Sequence, residues 1–264
     1  MKKCELLSPA GNPSKFEMAM AYGADAVYLG GLRFGLRVLA GNFDNDELKS
    51  AVEQAHALGR RVYVTVNLFA RDDDFEGMEA YLVYLDTIGV DALIVADPGI
   101  ITFVQKVVPR MEIHLSTQSN TMNTYAANFW HDQGIKRIVL ARELSLDQIH
   151  KMRKETPDSL ELEVFVHGSM CMAYSGRCAI SSYLTGREAN QGHCTQPCRW
   201  EYHLVEQKRP GEVYRIEEDE RGLHFFNSKD LNMMPHLKAL LETGVDGLKV
   251  EGRMKSEHYV AAVT

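Results

Sequence analysis

A phrase that recurs along the chain decides its fold, and a clear copy is IGVDALIVAD at residues 88–97. It places a glycine where a helix would end, then a charged residue, and then a run of apolar and β-branched residues. A glycine cap followed at once by a buried strand is typical of the junction between a helix and a parallel strand. The phrase returns as YGADAVYLG at 22–30, LGRRVYVTVN at 58–67, GIKRIVLARE at 134–143 and GVDGLKVEGR at 244–253.

Three further apolar runs complete a set of eight strands, at Glu5–Leu7, Glu112–Ser116 and Glu161–Val166. A helix-compatible segment follows each strand except the last. Eight alternating units predict an α/β fold, a closed (β/α)8 barrel of the TIM type. A doubly wound open sheet is the alternative, but it usually has fewer strands and a glycine-rich phosphate loop, which Ser8–Gly11 does not provide.

The length and composition fit one large domain. The chain has 264 residues, of which 45% are hydrophobic, and a formal net charge of −7. We expect one barrel domain over 1–264, and a further carboxyl-terminal region outside this chain, because the amphipathic segment 256–264 has no helix stop signal.

The charge and the apolar pattern also limit the function. The net negative charge argues against a uniformly basic surface for nucleic acid, although it allows a local basic patch. The amino terminus has no apolar signal region, and no stretch stays uncharged long enough to span a bilayer. We therefore expect a soluble cytoplasmic protein without a membrane partner; the sequence leaves its oligomeric state open.

An insertion interrupts the repeat between the seventh and eighth strands, at about 169–230, and is far longer than an ordinary connection. It carries Cys171, Cys178, Cys194 and Cys198, with the spacing C-x6-C-x15-C-x3-C. In its second half, residues 200–205 and 223–226 alternate around the turn-prone 209–211. We predict a small β flap over the mouth of the barrel.

The four clustered cysteines predict a metal site, because a disulfide framework is unusual without a secretion signal. Structural zinc sites usually contain paired C-x2-C knuckles, whereas a 4Fe-4S cluster accepts irregular spacing. The spacing favours the cluster and leaves zinc, or unligated cysteines, as alternatives. The remaining cysteine, Cys4, is expected to be a small core residue.

Residues 163–181 read EVFVHGSMCMAYSGRCAIS and resemble the signature of the collagenase-like peptidase family U32. Further stretches, including 5–11, 190–194 and 249–256, resemble the branch of that family that makes 5-hydroxyuridine at the tRNA wobble position. The resemblance implies a barrel with a 4Fe-4S cluster on the four cysteines. It also implies an oxygen-independent tRNA uridine hydroxylase that depends on prephenate, a small dicarboxylate, as co-substrate.

Two other classes of function stay open, a metal-containing peptidase or collagenase-like hydrolase and a non-catalytic RNA-binding scaffold. The sequence has neither a His-Glu-x-x-His zinc helix nor a Gly-x-Ser-x-Gly elbow. Ser169, Ser175 and Ser181 lie near His167, but a nucleophile also needs a base and an orienting group, so we interpret the serines as loop residues.

The candidates for substrate binding are polar residues at the carboxyl ends of predicted strands, because these ends form the mouth of a barrel. They are Asn67, Gln118, Arg142, Glu143, His167, Glu251 and Arg253. Arg142 and Arg253 offer planar forks for a dicarboxylate or a phosphate, with pairing to a nearby glutamate as the alternative. A basic, aromatic-bearing face is a further candidate for RNA contact, with Arg33, Phe34, Arg37, Lys249, Arg253, Lys255, His258 and Tyr259.

Overall fold

The computed structural model describes residues 3–36, 41–171, 178, 180–187, 192–200, 203–205, 207–215, 218–219, 222–223 and 230–264. The strands in this part of the chain are β1 (Glu5–Pro9), β2 (Ala26–Leu29), β3 (Arg61–Val66), β4 (Ala92–Val95), β5 (Glu112–Leu115), β6 (Arg137–Val139), β7 (Glu161–Gly168), β8 (His203–Val205), β9 (Val213–Arg215), β10 (Glu218–Asp219), β11 (Gly222–Leu223), β12 (Leu231–Asn232) and β13 (Gly247–Val250).

Strands β1 to β7 and β13 form a closed parallel barrel. Neighbours along the chain pair in order from β1 to β7, β7 also pairs with β13, and β13 pairs with β1. Leu6 lies opposite Leu248 and Ile138 lies opposite Leu162 across two of these pairings. The predicted (β/α)8 barrel is therefore confirmed, and the open sheet is excluded because the strand order closes on itself.

The helices alternate with the barrel strands. They are α1 (Pro13–Ala21), α2 (Asn45–Ala57), α3 (Met78–Thr87), α4 (Pro98–Val107), α5 (Thr124–Asp132), α6 (Leu146–Glu155), α7 (Ile180–Thr185), α8 (Leu237–Glu242) and α9 (Glu257–Val263). Side-chain caps fix where several begin: Asp97 accepts from the backbone N–H of Gly99 at 2.8 Å, and Ser145 forms a capping box with Gln148. Each cap therefore starts a helix shortly after a barrel strand ends.

The repeated phrase contains glycine because the backbone at that position adopts a left-handed conformation. Gly89 and Gly134 have φ angles of 82° and 84°, a region that residues with a Cβ rarely adopt. The corresponding glycines of the other three copies also have positive φ. The repeat is thus the turn that carries the chain from a helix back into the barrel.

Most of the apolar core lies between the strands and the helices, where residues such as Leu29, Leu48 and Ile100 are fully buried. A smaller apolar cluster contains Tyr63 and Ile94. This division is typical of a barrel, whose strands bury one face against the helices and the other against one another.

A network of buried charges joins four barrel strands. Arg137 is 1% exposed, and its guanidinium contacts Glu5, Glu161 at 2.6 Å and Glu163 at 3.1 Å. Lys249 contacts the other oxygen of Glu163 at 2.9 Å. The network therefore ties β1, β6, β7 and β13 together by charge as well as by backbone hydrogen bonds.

The carboxyl of Glu163 is charged because of its two cationic neighbours. Burial by itself raises the pKa of a carboxyl, but the charges of Lys249 and Arg137 outweigh it and lower the pKa of Glu163 to about 2. The pKa of His114, which is fully buried, is lowered mainly by desolvation. The stability that Glu163 contributes is present above the ordinary carboxyl pKa of 4.5 and is lost as the pH falls toward 2.

The insertion contains short antiparallel pairs. Strands β8 and β9 form a hairpin around 207–212, at the predicted turn. The predicted partner at 223–226 is wrong, because the nearer segment Val213–Arg215 closes a shorter loop at a lower entropy cost. Leu223 instead pairs with Glu218, and 224–226 lie outside the described residues. Strand β12 adds antiparallel to the end of β7. The one-domain extent and the flap over the mouth stay predictions.

None of the helices in the described part of the chain has the length and apolar character needed to cross a membrane.

Replacing Arg137 with Met should destabilise the barrel strongly. The substitution leaves the buried carboxylates of Glu5 and Glu163 without one of their cationic partners, which typically costs about 3 kcal/mol or more. Urea unfolding at pH 7 measures the loss. Lys49→Ala, which removes an exposed lysine that lies 3.9 Å from Glu53, should leave the unfolding midpoint unchanged. Equal midpoints for Arg137→Met and the wild type would contradict a supporting role for the network.

Candidate functional site

The carboxyl ends of the barrel strands surround a cavity of about 130 Å³. This is the end at which the loops of a (β/α)8 barrel carry chemistry. Most of the predicted ligand and substrate residues line it, namely Asn67, Gln118, Arg142, Cys171, Cys178, Cys194, Glu251 and Arg253. We call this space the mouth cavity and treat it as the candidate site.

Three predicted residues do not line the mouth cavity. Glu143 is exposed to solvent on the loop after β6. His167 is half-buried, and its Nδ1 lies 2.8 Å from the hydroxyl of Tyr259 on α9. Cys198 is half-buried in the short 3-10 turn Pro197–Arg199. Substrate binding by Glu143 and His167, and metal binding by Cys198, therefore stay predictions without direct support from the lining of the mouth cavity.

The cysteine loop begins where β7 ends. Cys171 is exposed, whereas Cys178 and Cys194 are partly buried, and all three face the same cavity. Every cysteine of the chain falls within the described residues, and none forms a disulfide. The thiols are therefore available to a ligand that enters from the mouth.

Hydrogen bonds between α7 and the second half of the loop hold Cys194 in position. Ser181 is fully buried, and its Oγ accepts the backbone N–H of Thr195 at 3.1 Å. The backbone N–H of Gln196 lies 3.4 Å from the sulfur of Cys194, to which it donates. Ser181 thus organises the cysteine loop, as expected for a loop residue, while Ser175 lies outside the described residues.

The donor set fits a metal that prefers sulfur. Three thiols share one cavity, and one of them already accepts a backbone N–H, an interaction that tunes sulfur ligands in iron–sulfur proteins. Within the described ranges, no three His, Cys, Asp or Glu side chains are gathered closely enough to hold a metal ion. A metal would therefore have to draw the thiols together, and the choice between a cluster and zinc stays a prediction.

Asn67 and Gln118 form an amide clasp across the mouth cavity. Asn67 donates from Nδ2 to Oε1 of Gln118 at 2.7 Å, and Gln118 donates from Nε2 to the backbone oxygen of Asn67 at 3.1 Å. Oδ1 of Asn67 also accepts the backbone N–H of Leu36 at 3.1 Å. The two amides therefore fix the loop after β2 to strands β3 and β5, and part of their hydrogen-bonding capacity is used within the protein.

Arg142 anchors the start of the cysteine loop. Its Nη1 donates to the backbone oxygen of Ser169 at 2.6 Å, and its guanidinium lies 4.1 Å from the ring centroid of Phe165. The backbone N–H of Ser169 in turn donates to Glu251 at 3.2 Å. Arg142 therefore contacts the backbone and an aromatic ring, and the pairing with Glu143 that the sequence left open is absent from the ion pairs of the described residues.

Arg253 is 4% exposed and fastens the loop after β2 over the barrel. Its Nη1 donates to the backbone oxygen of Leu36 at 3.2 Å and to Oγ1 of Thr65 at 3.1 Å, and its Nη2 donates to Asn42. The close approach also requires Gly30, because a Cβ there would lie 2.5 Å from Nη2 of Arg253. Arg253 thus mainly links the segment after β13 to the loop after β2.

The structure corrects the predicted position of Lys249. The sequence predicts Lys249 on a basic, aromatic-bearing face with Arg253, yet Lys249 is only 4% exposed and lines the mouth cavity. Arg33 and His258 of that proposed face are exposed, and Arg37 lies outside the described residues. A lysine inside an otherwise apolar strand was the signal that pointed to the barrel interior.

Comparison with known proteins identifies relatives of the whole chain. The model of peptidase family U32 matches residues 11–264. The chain is 45% identical, over 99% of its length, to a Bacillus subtilis protein named tRNA hydroxylation protein P1, and covers 61% of that protein. It is 41% identical, over 99% of its length, to the 23S rRNA 5-hydroxycytidine C2501 synthase of Escherichia coli, and covers 38% of it.

The solved structure of the U32 peptidase Mk0906 has the same fold. It superposes with a TM-score of 0.61 at 13% identity and covers 95% of this chain and 93% of the other. At this identity, the likeness supports the barrel architecture only. Because this chain spans only about three fifths of the Bacillus protein, the activity of such longer proteins does not follow from the match.

Arg253→Lys should loosen the loop after β2 without unfolding the barrel. A lysine has one ammonium where arginine has a planar fork, so it cannot keep the contacts to Leu36, Thr65 and Asn42 together. We expect amide hydrogen exchange in 31–36 and 41–43 to speed up by about tenfold. Arg110→Lys is the control, because Arg110 is an exposed arginine after α4, outside this loop. Unchanged exchange in Arg253→Lys would show that Arg253 does not hold the loop.

Proposed function

The chain belongs to peptidase family U32, and from this premise we propose that it takes part in hydroxylating RNA, specifically in making 5-hydroxyuridine at the tRNA wobble position. We further propose that the reaction depends on prephenate and on a 4Fe-4S cluster held by Cys171, Cys178, Cys194 and Cys198. The names of the Bacillus and Escherichia relatives support an RNA substrate.

One observation carries the proposal: three of the four cysteines line the same small cavity as the polar ends of the barrel strands. Replacing a ring C–H with C–OH formally takes the oxygen of one water and releases two electrons and two protons, so a redox-active group near the base would have to pass the two electrons on to an external electron acceptor. A 4Fe-4S cluster bound by thiolates supplies one-electron transfer over a wide range of potentials. Cys171, Cys178 and Cys194 would hold it at the wall of the cavity, with Cys198 drawn in as the fourth ligand.

The protein's own residues would bind and position the substrates. Arg142, Lys249 and Arg253 give the mouth cavity more positive than negative side chains, with Glu251 as the acidic member of the lining. A small dicarboxylate suits this excess of positive charge, because hydrogen bonds to ionised groups are stronger than those between neutral groups. The amide clasp of Asn67 and Gln118 would shape the wall against which the base or the co-substrate packs.

Among the residues that the structure describes, which leave out Ser175, the same geometry offers little to a serine hydrolase. A nucleophilic serine needs a base within hydrogen-bond reach. The buried Ser181 bonds to Thr195, and His167 bonds to Tyr259. The backbone of Ser169 joins Arg142 to Glu251.

Purification without oxygen should yield the chain with about four irons and about four sulfides. Iron, sulfide and zinc are measured together with the visible spectrum. Cys194→Ser should lose most of the iron, because Cys194 is a proposed ligand. Cys4→Ser is the matched control: burial, chiefly, raises the pKa of Cys4 to about 11, so this thiol stays protonated and outside the proposed ligand set. About one zinc per chain and no sulfide would contradict the cluster.

Expression in bacteria that lack their own tRNA uridine hydroxylation proteins should restore 5-hydroxyuridine in tRNA. Mass spectrometry of nucleosides from separated tRNA and 23S rRNA measures the product and identifies the RNA. Cys194→Ser should abolish it, whereas Cys4→Ser should not. Hydroxycytidine in 23S rRNA together with unmodified tRNA would show that rRNA, and not tRNA, is the substrate. No hydroxylated nucleoside from cluster-loaded wild-type chain would overturn the proposed activity.

A further inference from the structure

We infer that Lys249 binds a carboxylate group of the small acid co-substrate at the bottom of the mouth cavity. The inference rests on the proposed function for the identity of the acid. It assigns the contact to one residue of the barrel interior, and it can be tested by binding alone.

The first argument is the place of Lys249 in the barrel. It lies on β13, between β1 and β7, with its side chain both buried and on the cavity lining. A buried ammonium is costly unless it is paired and hydrogen-bonded. A lysine in this position therefore needs partners that the barrel interior has to supply.

The described residues provide only some of the hydrogen-bond acceptors that the ammonium of Lys249 can use. An ammonium has three N–H donors. Among the hydrogen bonds of the described residues, Nζ of Lys249 has one acceptor, Oε1 of Glu163 at 2.9 Å. The ring centroids of Tyr28 and Phe165 lie 4.5 Å and 5.7 Å away, and these rings offer π faces. Nζ of Lys249 therefore has one charged acceptor, and Lys249 lines the cavity from which a second could come.

Lys249 shares its carboxylate partner with Arg137. The other oxygen of Glu163 contacts Arg137 at 3.1 Å, and Arg137 has Glu5 and Glu161 as further partners. Glu163 is the carboxylate that contacts Lys249 among the described residues. A second carboxylate, brought by a ligand, would give Lys249 a partner of its own and accept from its remaining donors.

The two arginines of the lining have more contacts within the chain. Nη1 of Arg142 donates to the backbone of Ser169 and its guanidinium lies over the ring of Phe165, although its buried Nε has no hydrogen-bond partner among the described residues. Nη1 and Nη2 of Arg253 donate to Leu36, Thr65 and Asn42. Arg142 and Lys249 thus both keep unused donors on the cavity lining, and Lys249 is the one of the two that lies within a barrel strand.

A small carboxylate fits this place better than an RNA phosphate. The cavity holds about 130 Å³, and Lys249 lies at its buried end with the rings of Tyr28 and Phe165 beside it. A phosphodiester carries a sugar on each side and would have to enter a narrow space to reach the ammonium. A carboxylate at the end of a small molecule can reach it directly.

Isothermal titration of the purified wild-type chain with prephenate tests the inference. Lys249→Met keeps the length of the side chain and removes the charge, and it should weaken binding by about tenfold to a hundredfold. Lys249→Arg keeps a positive charge and should recover part of the affinity. Lys49→Met is the matched control, because it removes an exposed lysine on α2 and should bind prephenate like the wild type.

A second variant separates binding from folding. In Lys249→Met, Glu163 keeps Arg137 as its cation, but the loss of one partner could lower stability. The double variant Glu163→Gln/Lys249→Met removes both charges of the pair, and it should fold and still show the weakened binding. Circular dichroism melting checks the fold of each variant.

The outcomes distinguish this inference from the proposed function. Prephenate binding that depends on Lys249, in a chain that does not hydroxylate RNA, would support the inference and refute the activity. In an active preparation, Lys249→Met should raise the prephenate concentration needed for half-maximal rate and leave that for tRNA unchanged. Equal prephenate binding by wild type and Lys249→Met, absent binding by the wild type, or a loss confined to tRNA binding would overturn the inference.

Discussion

The buried charge network inside the barrel is the interaction on which the rest of this structure depends. Arg137 contacts three carboxylates, and one of them, Glu163, also holds Lys249. Because buried charges are stable only when paired, the strands that carry them have to stay in register. The closure of the barrel between β6, β7, β13 and β1 is thus secured by electrostatics as well as by the parallel ladders.

The same network links the interior of the barrel to the candidate site. Lys249 contacts Glu163 within the barrel and lines the mouth cavity. The cavity therefore lies directly above charges whose positions the barrel fixes. Binding a ligand to Lys249 would cost less conformational entropy than binding it to a flexible lysine on a loop, because the barrel already holds the side chain in place.

The cysteine loop is held at both of its ends by contacts that do not involve sulfur. Arg142 and Glu251 hold the backbone at Ser169, where β7 ends, and Ser181 holds the backbone at Thr195. The thiols between these anchors share one cavity without being gathered into a finished metal centre in the described residues.

The sequence by itself determined the barrel, because the glycine-to-strand phrase repeats with the period of a helix and a strand, and each copy is a local signal. It also determined which strand ends face the mouth, and so brought Asn67, Gln118, Arg142 and three cysteines to one cavity. The hairpin partner of β8 was assigned to the wrong segment, because alternation alone does not tell which of two short strands is nearer. Only the tertiary structure decided that Arg253 links the segment after β13 to the loop after β2 and that Lys249 lies buried beside Glu163. Those contacts join residues far apart in the chain: a lysine inside an apolar strand indicates a position in the barrel interior, but local pattern does not show which carboxylate pairs with it.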